Sequence, residues 1–230
     1  MPRVSGTLSA DDRLGAVKVR VGIGRMQYTV DPGLYALGNA ADDSPVLVTA
    51  NYKLSFDKLR AAFNGRSAWI LVLDTEGINV WCAAGKRTFG TNELVRRIKS
   101  SGLEKIVSGR NLVLPQLSAP GIAAHTVKRA SGFSIGHGPV QAGDLPAFMD
   151  AGMKATPAMR TKQFPVSERA VLIPMEFIPA LKYGAVLLPL LFLLGGVGYP
   201  GGYWENAASH GLLAVLLIGG GLIAGTVFTP

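Results

Sequence analysis

The sequence predicts an α/β fold followed by transmembrane α-helices, and three observations predict it. Short apolar runs, Pro45-Val-Leu-Val-Thr49 and Trp69-Ile-Leu-Val-Leu-Asp-Thr75, alternate with helix-like segments. Strands buried on both faces read as continuous apolar runs, so the sheet should be mostly parallel with helices on both faces. The composition then changes near Pro179: beyond Lys182 there is no Lys or Arg, and Glu205 is the only acid. Ala180–Val197 and Ala207–Phe228 each approach the ~20 apolar residues that a helix needs to cross a bilayer.

Taken in order, Val17, Val19, Val21 and Ile23 alternate and predict a hairpin or an edge addition in an N-terminal extension, residues 1–33. An α/β domain over 34–176 comes next. Pro45–Thr49 is its first buried strand. Ser55 should cap a helix over Phe56–Phe63, stopped by Asn64-Gly65. Trp69–Thr75 is the next strand. Thr91 should cap a helix running through Ser101, with Leu94, Val95 and Ile98 inward and Gly102 as its stop. Lys105–Val107 and Asn111–Leu114 read as short strands, Gly121–Lys128 as a short helix, Phe133–Ile135 as a strand and Leu145–Ala151 as a helix. The pattern is Rossmann-like.

A membrane domain with two spans covers 177–230. Tyr199, Tyr203 and Trp204 fall between the spans, where an interfacial aromatic belt belongs. Lys154, Arg160, Lys162, Arg169 and Lys182 outnumber Glu168 and Glu176 before the first span. That excess predicts a multi-pass protein of the cytoplasmic membrane with its large N-terminal domain in the cytoplasm. The stop at Pro230, directly after a span, reads as a fragment of a longer membrane domain.

A formal charge of +8 raises the question of nucleic acid. The basic residues are scattered and interleaved with acids, without a basic helix face or an aromatic-plus-basic signature, so no nucleic-acid partner is predicted. The single cysteine, Cys82, excludes an internal disulfide and an iron–sulfur cluster held within this chain. His125, His137 and His210 lack zinc-ligand spacing. They read as core, surface or interfacial histidines. No Gly-x-x-x-x-Gly-Lys-Ser/Thr or strand-following Gly-x-Gly-x-x-Gly cradles a phosphate.

In an open α/β sheet, ligands bind beyond the C-terminal ends of the strands. Three ends are chemically marked: Thr49 and Asn51; Thr75 and Gly77, running on to Asn79 and Cys82; and Gln116 to Gly121, leading to His125. Gly136–Val140 is a further possible rim. Small residues and hydroxyls there suit close approach to a large flat ligand with amide edges. Asn79 either caps a short helix or bonds to the surroundings of Cys82. Trp81 reads as packing beneath that helix, and Lys86 as a solvated residue at its end.

The segment Asn79-Val-Trp-Cys-Ala-Ala-Gly-Lys86 resembles the cap-helix motif of the corrinoid proteins of microbial mercury methylation. Val46–Phe56, Trp69–Gly77, Leu114–Leu117 and Gly152–Arg160 resemble the same family, over roughly Leu34 to Glu176. The flanking blocks are shared with the large subunit of the corrinoid iron–sulfur protein of acetyl-CoA metabolism. That relative carries a cysteine-rich cluster segment and no cap cysteine; this chain has the reverse. The family usually has about five spans, and two are found.

The resemblance implies a cobalt-containing, cobalamin-type corrinoid bound by Asn79, Val80, Trp81, Cys82, Ala83, Ala84, Gly85 and Lys86, with Thr49, Asn51, Thr75, Gly77, Gln116 and Gly121 around it. Cys82 would be the lower axial ligand of the cobalt, as a soft, strongly donating thiolate. The implied activity is a corrinoid-dependent methyltransferase that passes a cobalt-bound methyl group to mercuric ion. The implied partners are a ferredoxin-like iron–sulfur electron donor and a methyl donor, either a protein or methyltetrahydrofolate. Two other readings stay open: a corrinoid methyl carrier of one-carbon metabolism, and a membrane scaffold with a degenerate α/β domain.

Overall fold

The computed structural model describes residues 1–228, so the stop at Pro230 lies outside the described residues. The chain forms two compact units: Met1–Ala16 with Gly24–Lys162, and Val17–Ile23 with the described residues from Gln163 onward. The strands are β1 Arg3–Val4, β2 Gly33–Leu37, β3 Val46–Ala50, β4 Ala68–Leu73, β5 Asn111–Leu114 and β6 Ser134–His137. The helices are α1 Ala10–Arg20, α2 Lys53–Ala62, α3 Val80–Lys86, α4 Thr91–Ser100, α5 Ala124–Ser131, α6 Leu145–Asp150, α7 Val166–Ala170, α8 Ile173–Leu194, α9 Tyr203–Asn206 and α10 Leu212–Val227.

The sheet order is β1-β2-β4-β3-β5-β6. β4, β3, β5 and β6 run parallel to one another; β2 joins β4 antiparallel, and β1 pairs parallel with β2. Every residue of β3 and β4 is buried. Alternate side chains serve opposite faces, as the period of a strand requires. Val48, Leu71, Leu112 and Leu114 join Phe89, Leu94, Ile98 and Val127 in one core. Leu47, Ile70, Val72 and Val113 join Phe56, Phe63, Leu145 and Phe148 in the other. Helices therefore cover both faces. The chain leaves β3 for β4 on one side and then crosses to β5 on the other, so the order reverses between β3 and β5. Open α/β sheets bind ligands beyond the strand ends at such a reversal.

Several local expectations are corrected. Val17 and Val19 lie on α1, not in a hairpin. Asp12 N–H donates to Ser9 Oγ (3.1 Å) and Ser9 N–H to Asp12 Oδ2 (2.9 Å), a reciprocal cap that starts a helix. The edge addition is made instead by β1 and β2. Lys105–Val107 is not a strand: Gly102, at φ 63°, leads into a 3-10 turn over Leu103–Lys105. Ser55 lies inside α2, which begins after Tyr52. Gly90, not Thr91, precedes α4; the Thr91 hydroxyl accepts from Ala123 N–H at 2.8 Å. The helix expected over Gly121–Lys128 is a 3-10 segment, Gln116–Gly121, followed by α5.

An ion cluster ties the N-terminal segment to α2. Arg60 donates to Asp57, Asp12 and the Ser5 and Thr7 carbonyls, and Lys53 bridges Asp12 and Asp57. Arg60 and Asp57 are buried. Burial pushes the Asp12 carboxyl up, but hydrogen bonds from Lys53, Ser9 and Arg60 outweigh it and hold the group well below the usual carboxylate range.

In the second unit, Val166–Leu194 and Tyr203–Val227 are long and apolar enough to cross a membrane, and little of either is buried. The first helix begins earlier than its apolar run, at Ile173-Pro174, and ends before Gly195-Gly196. Gly195 and Gly211 touch: a Cβ on Gly195 would stand 2.3 Å from the Gly211 backbone. Such close approach needs small residues. Tyr203 donates to the Leu193 carbonyl at 2.9 Å, and Tyr199 stacks on His210 with ring centroids 3.9 Å apart.

Candidate functional site at the C-terminal end of the sheet

β4 ends at Leu73, and the chain turns through Asp74–Ile78 into α3. The turn passes two consecutive left-handed residues, Glu76 (φ 57°) and Gly77 (φ 71°). A non-glycine residue there costs on the order of 1 kcal/mol, so something must hold it. Asn51, buried beyond β3, does so. Its Oδ1 accepts from Thr75 N–H (3.1 Å) and Gly77 N–H (3.1 Å) and lies 2.8 Å from Thr75 Oγ1. Thr75 Oγ1 also lies 2.7 Å from the Ile78 carbonyl, so its single proton goes to one of the two acceptors. From the other side, Glu93 accepts from Asp74 N–H at 2.9 Å and from Arg96 and Arg97. Burial alone would raise the Glu93 carboxyl; these hydrogen bonds outweigh burial and hold it low.

Asn79 opens α3. Its side chain accepts from Cys82 N–H at 2.9 Å, so of the two roles the sequence left open the structure shows the N-cap. Arg87, left-handed at φ 64°, closes the helix, and the buried Phe89 anchors the chain as it leaves α3 for α4. Ala83 and Ala84 face inward, Ala83 into the core and Ala84 against the Gln116–Gly121 segment beyond β5. A Cβ on Gly121 would meet Phe89 O at 2.3 Å and Ala84 Cα at 3.2 Å. Thus α3 hangs from the end of β4 and lies on the segment that leaves β5, beside the strand-order reversal between β3 and β5. Trp81, Cys82, Gly85 and Lys86 form its exposed side. Trp81 is 61% exposed, which corrects its expected packing beneath the helix. The thiol faces outward, and a Cβ on Gly85 would meet nothing within 4 Å. Val80 is half-buried against the core.

The structure brings Asn51, Thr75, Gly77, Asn79 and Cys82 into one linked assembly, and Gln116 and Gly121 into the segment beneath α3. Thr49 is buried within β3. Gln116 accepts from Arg160 at 2.7 Å, a pairing the sequence did not suggest. His125 is exposed on α5. His137 ends β6 with Nδ1 buried and unpaired; burial holds its imidazole below the ordinary value, with the Pro115 carbonyl opposing and Arg160 assisting. A shallow polar cleft beside α3, lined by Asp74, Glu76, Arg87, Thr88, Asn92, Glu93 and Arg96, was also missed. Among the described residues no three His, Cys, Asp or Glu side chains converge to hold a metal.

The family model described as CO dehydrogenase/acetyl-CoA synthase delta subunit matches residues 23–148. The chain belongs to this family. The match spans β2 to β6, all of α3 and every candidate site residue. Similar relatives are gamma subunits of the acetyl-CoA decarbonylase/synthase complex. That of Methanothermobacter thermautotrophicus is 30% identical over 130 residues, 55% of this chain and 28% of the relative. That of Methanopyrus kandleri is 32% identical over 129 residues, 55% and 27%. That of Methanocaldococcus jannaschii is 33% identical over 97 residues, 41% and 20%. The chain thus spans between a fifth and little more than a quarter of the length of these relatives. The family match ends before α7, so the apolar helices lie outside it, as does the Gly152–Arg160 block.

Proposed function

We propose that this chain is a corrinoid-dependent methyl-transfer protein in which Cys82 is the lower axial ligand of the cobalt. The observation that carries this reading is the outward thiol on a short helix that lies beside the strand-order reversal of the family's sheet. The donor chemistry fits. Cys82 is a soft donor with no convergent protein ligands among the described residues. A metal bound there would bring its other ligands with it, as a macrocycle does. Gly85, without a side chain on the same exposed face, leaves room for a flat ring.

When bound, the corrinoid supplies a cobalt centre that carries a methyl group. The chain's own part is positional. Asn79 fixes the start of α3, Ala83, Ala84 and Gly121 seat it on the Gln116–Gly121 segment, and Cys82 is presented to the metal. With one cysteine the chain holds no cluster for reduction, so a ferredoxin-like donor and a separate methyl donor are the proposed partners.

For the methyl acceptor we propose mercuric ion, on the strength of the Asn79–Lys86 motif with its Cys82. The alternative, a methyl carrier of acetyl-CoA-type metabolism, is favoured by the names of the relatives. We further propose that the two apolar helices cross the cytoplasmic membrane, with the basic excess before them keeping the sheet unit in the cytoplasm.

The test uses the full chain in detergent micelles, loaded with hydroxocobalamin for spectra and with methylcobalamin for methyl transfer, beside Cys82→Ala. The wild type should show an absorption spectrum that the variant lacks, and should methylate mercuric ion while the variant does not. Methyl transfer confined to a protein acceptor would select the carrier reading. Equal methylation of mercuric ion by both proteins would remove Cys82 from the mechanism.

A further inference from the structure

Asn51 uses its backbone and its side chain for different ends. Its N–H donates to the Leu73 carbonyl, and its own carbonyl accepts from Val30 N–H, both at 2.9 Å; these bonds continue the pairing at the strand ends. The side chain adds nothing to the strands. Its Oδ1, in a residue only 6% exposed, instead accepts from the N–H groups of Thr75 and Gly77, 24 and 26 residues away, with the Thr75 hydroxyl 2.8 Å from it. A carbonyl oxygen has two lone-pair directions, so this convergence commits the atom fully. The turn held in this way runs directly into Asn79 and the cap on Cys82 N–H.

Resting on the reading of Cys82 as the cobalt ligand, we propose that Asn51 is a positioning residue for Cys82. Through the turn Thr75–Gly77 it sets where α3 begins, and so where the thiol is presented. It acts through the loop rather than by touching the cofactor, since its oxygen is already occupied. The link is specific: an acceptor must stand at this point, whatever the rest of the side chain is.

Hydrogen exchange read by mass spectrometry on the full chain tests this. In Asn51→Ala, amides of residues 75–86 should exchange about tenfold faster or more while β3 and β4 keep wild-type rates. The pair Asn51→Asp with Asp74→Asn keeps the acceptor and reverses the Asn51 Nδ2 to Asp74 Oδ1 contact of 3.4 Å. It should restore exchange to within about twofold of wild type. Unchanged exchange at 75–86 overturns the proposal. So does acceleration shared equally by the strands, unfolding of Asn51→Ala, or a swap that restores nothing, because Asn51 would then serve the fold at large.

Spectra with hydroxocobalamin separate this from the reading beneath it. Identical spectra for wild type and Cys82→Ala bring down the ligand reading and the proposal together. Distinct spectra, with Asn51→Ala matching wild type, bring down the positioning role alone. The expected result is an Asn51→Ala spectrum close to that of Cys82→Ala, recovered in the swap.

Discussion

β4 and α10 are both almost wholly apolar, and they dispose of that surface in opposite ways. In β4 all six residues are buried, with Ile70, Leu71, Val72 and Leu73 at 0% exposure. In α10 no residue is buried, and Leu216, Leu217 and Ile223 stand open. Burial from water favours the fold by about 25 cal/mol for each Å² of apolar surface, so the strand's side chains hold the sheet together. The helix forgoes that gain within its own unit. Its apolar surface is stabilised only if another apolar medium meets it, and a bilayer is such a medium. The same residue types thus report a protein core in one region and a candidate lipid face in the other.

A paired substitution tests that contrast most strongly. Leu71→Asp places a carboxylate in a closed core and should cost about 4 kcal/mol or more, abolishing the cooperative unfolding transition of the sheet unit. Leu217→Asp should leave that transition at its wild-type midpoint. It should instead weaken membrane insertion by ~3 kcal/mol, read as a loss of chain from the membrane fraction. An unchanged membrane fraction would break the lipid-face reading. A pair of glycines sharpens the comparison at smaller scale. Gly121→Ala drives a Cβ into Phe89 O and should cost roughly 1–3 kcal/mol in denaturant unfolding. Gly220→Ala, with nothing within 4 Å of its added carbon, should be neutral or slightly stabilising.

The last effect concerns acid. The Asp12 carboxyl titrates lower in the folded chain than in the unfolded one, whose ordinary value is 3.8. Its contribution is therefore complete above that pH and fades as the pH falls towards the folded value. Glu93 acts in the same direction. Circular dichroism across an acid titration should show the sheet unit losing stability below about pH 4. Asp12→Asn should flatten that slope and cost about 2 kcal/mol at neutral pH. A slope that Asp12→Asn leaves unchanged would remove the cluster from the acid response.

Much of the frame was legible because it is local. Apolar runs gave β3, β4 and β5 nearly to the residue, and the side-chain chemistry of Asn79 offered a cap three residues before Cys82 as one of two roles. Where the reading failed, two local signals competed. The alternation of Val17 to Ile23 looked like a strand, while Ser9 and Asp12 had already started a helix. Lys105–Val107 had strand-like residues but came after a left-handed glycine that turned the chain.

Periodicity and capping act between neighbours along the chain, so the sequence by itself determined the α/β character, the paired apolar helices and the motif around Cys82. Contacts between distant residues carry no such local trace. Only the tertiary structure decided that Trp81 faces solvent, that Gly121 lies against Ala84 of α3, and that Asn51 holds the turn before Cys82. Each of those outcomes depends on chain segments brought together by the burial of β3, β4 and β5, which no neighbouring residue specifies.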